Sequence, residues 1–290
     1  MNAWILAARP KTLPAAIAPV CVGCALSWQI LNTFSLWLAA CTLLSAVAIQ
    51  IATNFFNDAI DFDKGADTAN RLGPTRATSA GLTSRNGMYL AAFISLLIAI
   101  GFSIPMILER GWMIVAIGIP SIYFSFGYTG GPFPLAYRGM GDLFVLAFFG
   151  LIAVSGAVFV QTGAWPVEGL LAGTQIGFLS TVLIAINNLR DVDEDRQSHK
   201  MTLAVRFGMT FSRWEITLLC LVPHLIGLAG WIGLGRPQLA WWPLPISLLG
   251  MLISRKVWAT PPSRSYNKFL AMGAAQLVLF TGLFVVACLT

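Results

Sequence analysis

Charge is scarce in this chain. Only 10% of its 290 residues are Asp, Glu, Lys or Arg, against 57% that are hydrophobic. A soluble domain ordinarily carries about a quarter charged residues. No stretch here is polar for long enough to make one, so a soluble enzyme or binding module is excluded. Histidine occurs twice and cysteine five times. Cys21 and Cys24 spell C-x-x-C, but among Val and Ala in an apolar run and far from any soluble βαβ pattern, so they read as small packing residues and not as a redox or metal motif. His224, alone in its apolar segment, reads as a packing histidine.

What fills the chain instead is apolar sequence in membrane-sized lengths. A hydrocarbon core of about 30 Å takes roughly 20 apolar residues as a helix. Nine such stretches follow one another, at 13–32, 35–57, 87–108, 112–128, 140–161, 168–189, 213–233, 239–258 and 267–288. The expectation is an all-α polytopic membrane protein of nine transmembrane helices forming one domain over 1–290. The first stretch follows Arg9 and Lys11 like a secretory signal, but no polar exported domain comes after it, so it reads as a retained span.

Basic residues gather in cytoplasmic loops. With the N-terminus inside, only Arg110 and Arg236 of the 18 Lys and Arg fall on the outer side. That places the C-terminus outside and a basic rim on the cytoplasmic face of the cell membrane. The net charge of +6 then points to anionic lipid head groups and anionic substrates, not to nucleic acid.

The 12 acidic residues are placed as unevenly. Most lie in two cytoplasmic stretches, "NFFNDAIDFDKGADTANRLGPTRA" after span two and "NNLRDVDEDRQSHKMTLAVRFG" after span six, four spans apart, as in a faint internal duplication. Asp58 and Asp61 are i, i+3, and Asp191 and Asp195 are i, i+4. Each pair shares a helix face, where two carboxylates repel unless a cation lies between them. Magnesium takes one or two carboxylates together with substrate phosphates. Basic side chains stand beside each pair: Lys64, Arg71 and Arg76 at the first, Arg190, Lys200 and Arg206 at the second. Carboxylates for a metal and guanidinium forks for phosphate oxygens describe a diphosphate site. Asn54, Asn57 and Asn188 are counted with the diphosphate-binding set, and Asp67 with the metal ligands. Asp63, Asp193 and Glu194 fall off the shared faces and read as solvated loop charges.

At this point the chain resembles the UbiA superfamily of intramembrane prenyltransferases, through its two aspartate-rich motifs. It is most similar to the branch that prenylates 1,4-dihydroxy-2-naphthoate for menaquinone. "ARPKTLPAAIAPVCVG", "YTGGPFPLAYRGMGDLFVLAFFG" and "TLAVRFG" agree with that branch, and the likeness runs to about residue 208 before it thins. In the superfamily pattern N-D-x-x-D-x-x-x-D the last place falls on Gly65, with Asp67 two residues later, as in the naphthoate branch. His199 stands where the branch usually has Gly, and would make diphosphate binding sensitive to pH. Asp142 stands where it often has Glu.

The resemblance implies a helical bundle around a central cavity, with a polyprenyl diphosphate anchored through Mg2+ at the cytoplasmic mouth and its tail toward lipid. Asp58, Asp61, Asp191 and Asp195 would be catalytic, and the acceptor would lose its carboxylate to give a demethylmenaquinol. Tyr123, Phe126 and Tyr128 are candidates for the wall of an acceptor or cation pocket. Within the superfamily the alternative is phytyl or other prenyl transfer to a related aromatic acceptor. Outside it, a cation-coupled transporter would place paired carboxylates near the midplane in broken helices, and a phosphoalcohol transferase would carry a D-G-x-x-A-R core, which is nowhere in this chain.

Overall fold

The computed structural model describes residues 3–32, 34–65 and 72–290, and among them every regular element is helical. In chain order these are α1 (Ala3–Ala8), α2 (Pro14–Leu31), α3 (Leu36–Asp63), α4 (Arg85–Arg110), α5 (Trp112–Gly127), α6 (Gly141–Thr162), α7 (Val167–Arg190), α8 (Val192–Gln197), α9 (Leu203–Gly233), α10 (Ser247–Ala259) and α11 (Tyr266–Leu289). The expected all-helical membrane architecture is found. Seven of the helices, α2, α3, α4, α6, α7, α9 and α11, are long and apolar enough to cross a membrane, against the nine expected. Of the other two segments, the first forms α5, which has 16 residues and stops just before the Gly130-Gly131-Pro132 turn. The second, 239–258, is broken around Pro243 and Pro245 into Gln238–Trp241, Leu244–Ile246 and α10. A proline supplies no N–H and its ring collides with the preceding turn.

Helix starts follow local chemistry. Ser35 accepts a hydrogen bond from the Leu38 N–H, Ser84 from Gly87 and Thr202 from Val205, each hydroxyl satisfying an N–H that the first turn leaves open. α3 runs past its expected end at 57 to Asp63, so Asp58 and Asp61 ride on a continuous helix.

α7 is the most enclosed of the spans. Val22 and Leu26 of α2, Val158 of α6, Ile176 and Leu179 of α7, and Phe280 and Phe284 of α11 form one buried cluster around it. α6 approaches α7 very closely: a Cβ on Gly150 would lie 2.4 Å from the Gly173 carbonyl oxygen. Within α6, Leu146–Ile152 winds as a π-helix, a form that recurs at functional sites. On the outside, Leu90, Phe93, Leu97 and Leu108 project from α4 into the surroundings. A surface so apolar suits hydrocarbon as its solvent.

Candidate active site

The two aspartate-rich stretches meet at one end of the bundle. The C-terminal end of α3 carries the first. Asp58 is 1% exposed, and its two oxygens accept the backbone N–H groups of Ala77 (3.1 Å) and Thr78 (2.9 Å). It therefore clamps the following loop onto the helix. Asp61 pairs with Arg76 at 3.2 Å and accepts the Tyr137 hydroxyl at 3.0 Å. Lys64, next along, donates to the Thr129 carbonyl at 2.7 Å and lies 3.7 Å above the Tyr137 ring. Burial pulls the Lys64 pKa down, with Asp61 opposing and Lys200 adding to the fall. Asp67 and Arg71 lie outside the described residues.

The second stretch straddles a break in the helix. α7 ends at Arg190 and α8 starts at Val192, with Asp191 at the junction. The Asp195 N–H still donates to the Asp191 carbonyl at 2.8 Å, so the expected one-turn spacing holds. The Asp191 carboxylate takes a two-pronged contact from its own neighbour Arg190, 2.7 Å on each prong. Asp195 faces Lys200 at 3.5 Å, and its Oδ2 is buried with no hydrogen-bond partner among the described residues. Burial lifts the Asp195 carboxyl to about 6, Lys200 pulling it back and Asp191 pushing it further up. Lys200 also stands 6.0 Å from the Tyr137 ring. Tyr137 thus lies between the clusters, with Asp61 on its hydroxyl and two ammonium groups near its face.

Other expected residues are placed less directly. Arg206 is exposed at the rim and donates to the Met201 carbonyl at 3.0 Å. Gly139, at φ +70°, has no room for a side chain, since a Cβ would lie 2.8 Å from that same carbonyl oxygen. The Asn54 amide is spent on the Ala8 carbonyl and the Thr12 hydroxyl, and Asn188 donates to Asp142 at 3.3 Å. Asn57 accepts from the Thr129 hydroxyl. Of the two tyrosines expected at a pocket wall, Tyr128 lines the interior cavity, whereas Tyr123 is 53% exposed on the outer surface. Five residues along a helix amount to about 140° of rotation, which turns one away from the other.

Sequence reasoning overlooked several contributors. Tyr137 sat unremarked within the Gly- and Pro-rich loop, although an aromatic residue in a tight loop beside two acidic clusters was a usable signal. Glu194, read as a solvated charge, accepts the Leu72 N–H at 2.9 Å. Asn267, in the span where the likeness thins, accepts from Arg190 at 2.7 Å and donates to the Leu72 carbonyl at 3.0 Å. Asp63 holds Arg85 and Tyr89.

Beneath this mouth lies a cavity of about 150 Å³ between α2, α3, α6 and α7. Its walls are mixed: Phe144, Phe149 and Leu183 face Asn57, Tyr128 and Asn187.

Among the described residues no three His, Cys, Asp or Glu side chains gather closely enough to hold a metal by themselves. Magnesium does not ask for that; it binds through one or two carboxylates plus phosphate and water oxygens. The unpartnered, buried Oδ2 of Asp195 and the carboxylate of Asp61 are hard donors of that kind, with cationic groups beside them for a phosphate. Asp58 and Asp191 have their oxygens committed to backbone N–H groups and to Arg190. The carboxylates lie at or beyond helix ends, unlike the midplane breaks of a transporter.

Residues 16–285 match the family described as UbiA prenyltransferase family. The chain is 35% identical over 237 residues to a 1,4-dihydroxy-2-naphthoate octaprenyltransferase of Haemophilus influenzae, covering 79% of this chain and 77% of that protein. It is 39% identical over 207 residues to the protein of the same description from Mycobacterium tuberculosis, covering 71% and 70%. Among solved structures it superposes on a UbiA homologue from Archaeoglobus fulgidus bound to GPP and Mg2+ with a TM-score of 0.72, at 14% identity and 99% coverage of both chains.

Proposed function

This chain belongs to the UbiA prenyltransferase family, and we propose that it transfers a polyprenyl group from its diphosphate to 1,4-dihydroxy-2-naphthoate, the acceptor losing its carboxylate to give a demethylmenaquinol. The observation that carries this reading is the meeting of Asp61, Asp195, Lys64 and Lys200 around Tyr137, directly above a cavity with aromatic walls.

Asp61 and Asp195 would hold a divalent cation, proposed as magnesium. Bound there, it offsets the negative charge that gathers on the departing diphosphate. Lys64, Arg76, Lys200 and Arg206, with Arg71 from the sequence, bind the phosphate oxygens through charge-assisted hydrogen bonds. Asp58 supports them by fixing the loop that presents Arg76, and Asp191 by orienting Arg190. As the allylic C–O bond loosens, cationic character builds on the prenyl carbon; Phe144 and Phe149 keep water away and offer their ring faces to it. The electron-rich ring carbon of the acceptor then closes the new C–C bond.

The same reading takes the chemistry to lie on the cytoplasmic side of the cell membrane, where the nine-span topology expected from the sequence puts all but two of the 18 basic residues. Purified protein given a ladder of prenyl diphosphates, the naphthoate and magnesium should yield masses of decarboxylated, prenylated naphthalenediols. Products that keep the carboxylate, or no transfer to the naphthoate, would overturn the assignment. With a water-soluble short-chain donor, sealed inside-out vesicles should turn over and right-side-out vesicles should not; equal rates would overturn the orientation.

A further inference from the structure

Five polar side chains on the cavity wall, those of Asn187, Asn57, Tyr128, Gln50 and Ser180, have hydrogen-bonding capacity that nothing among the described residues uses. Asn187, four residues before Asp191 on α7, has a partly accessible side-chain amide with no partner among the described residues. Asn57 has its carbonyl oxygen taken by Thr129, which leaves its NH2 to spare. The Tyr128 hydroxyl has no partner among the described residues either, while its ring packs on Phe144 at 5.5 Å. The Asn54 amide is committed to Ala8 and Thr12 and the Gln50 NH2 to Asn54, whereas the Gln50 Oε1 and the Ser180 hydroxyl are buried with no partner among the described residues. The unspent groups therefore belong to three different elements, α3, the end of α5 and α7, and converge on one space.

A buried polar group left unpaired is costly, so such a wall selects against a purely apolar occupant. A prenyl tail would leave these groups unsatisfied. A ring that bears hydroxyls would satisfy them, and about 150 Å³ is the size of space that admits an aromatic ring. One helical turn separates Asn187 from Asp191, about 6 Å, so a ring held here lies directly beneath the diphosphate mouth.

We propose that this cavity seats the aromatic acceptor and that Asn187, assisted by Asn57 and Tyr128, selects it by hydrogen bonding to its ring hydroxyls, with Phe144 and Phe149 against the ring. The inference rests on the functional reading above and adds to it the residue that decides acceptor choice. Asn187 differs in role from its neighbour Asn188, whose amide is turned to Asp142.

The test uses full-length protein in detergent with saturating magnesium, and measures KM for acceptor and prenyl donor separately. Wild type, Asn187→Ala and Tyr128→Phe are each given 1,4-dihydroxy-2-naphthoate and its two analogues lacking one ring hydroxyl. Asn187→Ala should raise the dihydroxy acceptor's KM about ten-fold, the usual scale for one lost hydrogen bond to a substrate, and leave the donor's KM unchanged. Wild type should lose a similar factor with the analogue that lacks the hydroxyl Asn187 reads, and Asn187→Ala should lose nothing further with it. If Asn187→Ala does not fold, Tyr128→Phe, which removes one oxygen and keeps the ring on Phe144, carries the same comparison. A rise in the donor's KM alone would mean the tail fills the cavity and would overturn the inference, as would equal sensitivity of variant and wild type to the missing hydroxyl. Should wild type ignore the naphthoate but prenylate another hydroxy-aromatic acid, the proposed acceptor falls; the same KM comparison with that acid then decides the role of Asn187.

Discussion

Glu194 accepts a hydrogen bond from the backbone N–H of Leu72 at 2.9 Å, across 122 residues of sequence. It is a direct link between the loop that follows the first aspartate cluster and the helix that carries Asp195 of the second. Asn267 reinforces it from α11 by bridging the Leu72 carbonyl and Arg190.

Removing that link should loosen the site without removing any group that touches substrate. Glu194→Ala gives up a hydrogen bond to a charged acceptor, worth about 1.5 to 3 kcal/mol when fully buried and toward the lower figure here. The melting temperature should fall by a few degrees, and the donor's KM should rise more than the acceptor's. Glu194→Gln, which keeps an oxygen for the Leu72 N–H, should recover most of both losses. An alanine variant with wild-type melting and kinetics would deny the brace any role.

The acidic residues should divide by function. Asp61→Ala and Asp195→Ala should abolish turnover while the protein still expresses; Asp195→Ala should melt near the wild-type temperature, and Asp61→Ala below it, because it takes the carboxylate away from the buried Arg76 guanidinium and the Tyr137 hydroxyl. Asp58→Ala leaves two buried backbone N–H groups unsatisfied, at about 1 to 3 kcal/mol each, so it should lower the melting temperature markedly, and added magnesium should not restore it. Thermal melts beside magnesium titrations of activity separate the two outcomes, and full activity in excess chelator would refute a metal role for either residue.

Metal dependence should vary with pH because burial lifts the Asp195 carboxyl from an ordinary 3.8 to about 6. The folded protein then holds this proton more tightly than the unfolded chain does. Its contribution to stability without metal is present in full below 3.8 and is lost as pH rises through about 6. The same proton competes with the cation. Metal-free protein should therefore gain stability from this group at about pH 5 relative to about pH 7.5, and half-maximal activity should need more magnesium at the lower pH. An identical magnesium requirement at both would remove Asp195 from the metal site.

His199 has φ +56°, in the left-handed region that costs a side-chain-bearing residue roughly 1 to 2 kcal/mol. Its N–H bonds to the Arg196 carbonyl and the next residue's to the Asp195 carbonyl, so this turn sends Lys200 back toward Asp195. His199→Gly should keep activity and raise stability by about 0.5 to 1 kcal/mol, the relief being reduced by the greater freedom of glycine when unfolded. A lower melting temperature for the variant would show that the imidazole itself contributes.

Much of this could be read from the sequence because its strongest signals are local. Helix existence follows from apolar length, and the seven long spans lie close to where hydropathy put them. The one-turn spacing of Asp58 with Asp61 and of Asp191 with Asp195 brought the acidic groups to helix ends as expected. What spacing could not express was where each carboxylate's hydrogen bonds go. Asp58 and Asp191 share helix faces with Asp61 and Asp195, yet a loop 19 residues on occupies the first and an adjacent arginine the second. Glu194 and Asn267 were illegible for a similar reason: the Leu72 backbone that both of them hold lies more than a hundred residues away in sequence. Tyr123 was misplaced because an aromatic residue near a span end carries no mark of the side it faces.

The π-helical stretch Leu146–Ile152 gives α6 a place where a change of chain length can be absorbed. It winds more residues into each turn than the α-helix on either side. Deleting one residue there lets the stretch close up as regular α-helix with its flanks nearly in their original orientation, whereas the same deletion where the winding is already α turns one flank against the other by about 100°. The face of α6 that meets α7 at Gly150 and the face that carries Phe144 and Phe149 to the cavity therefore tolerate a one-residue gap between 146 and 152 better than one on either side of it.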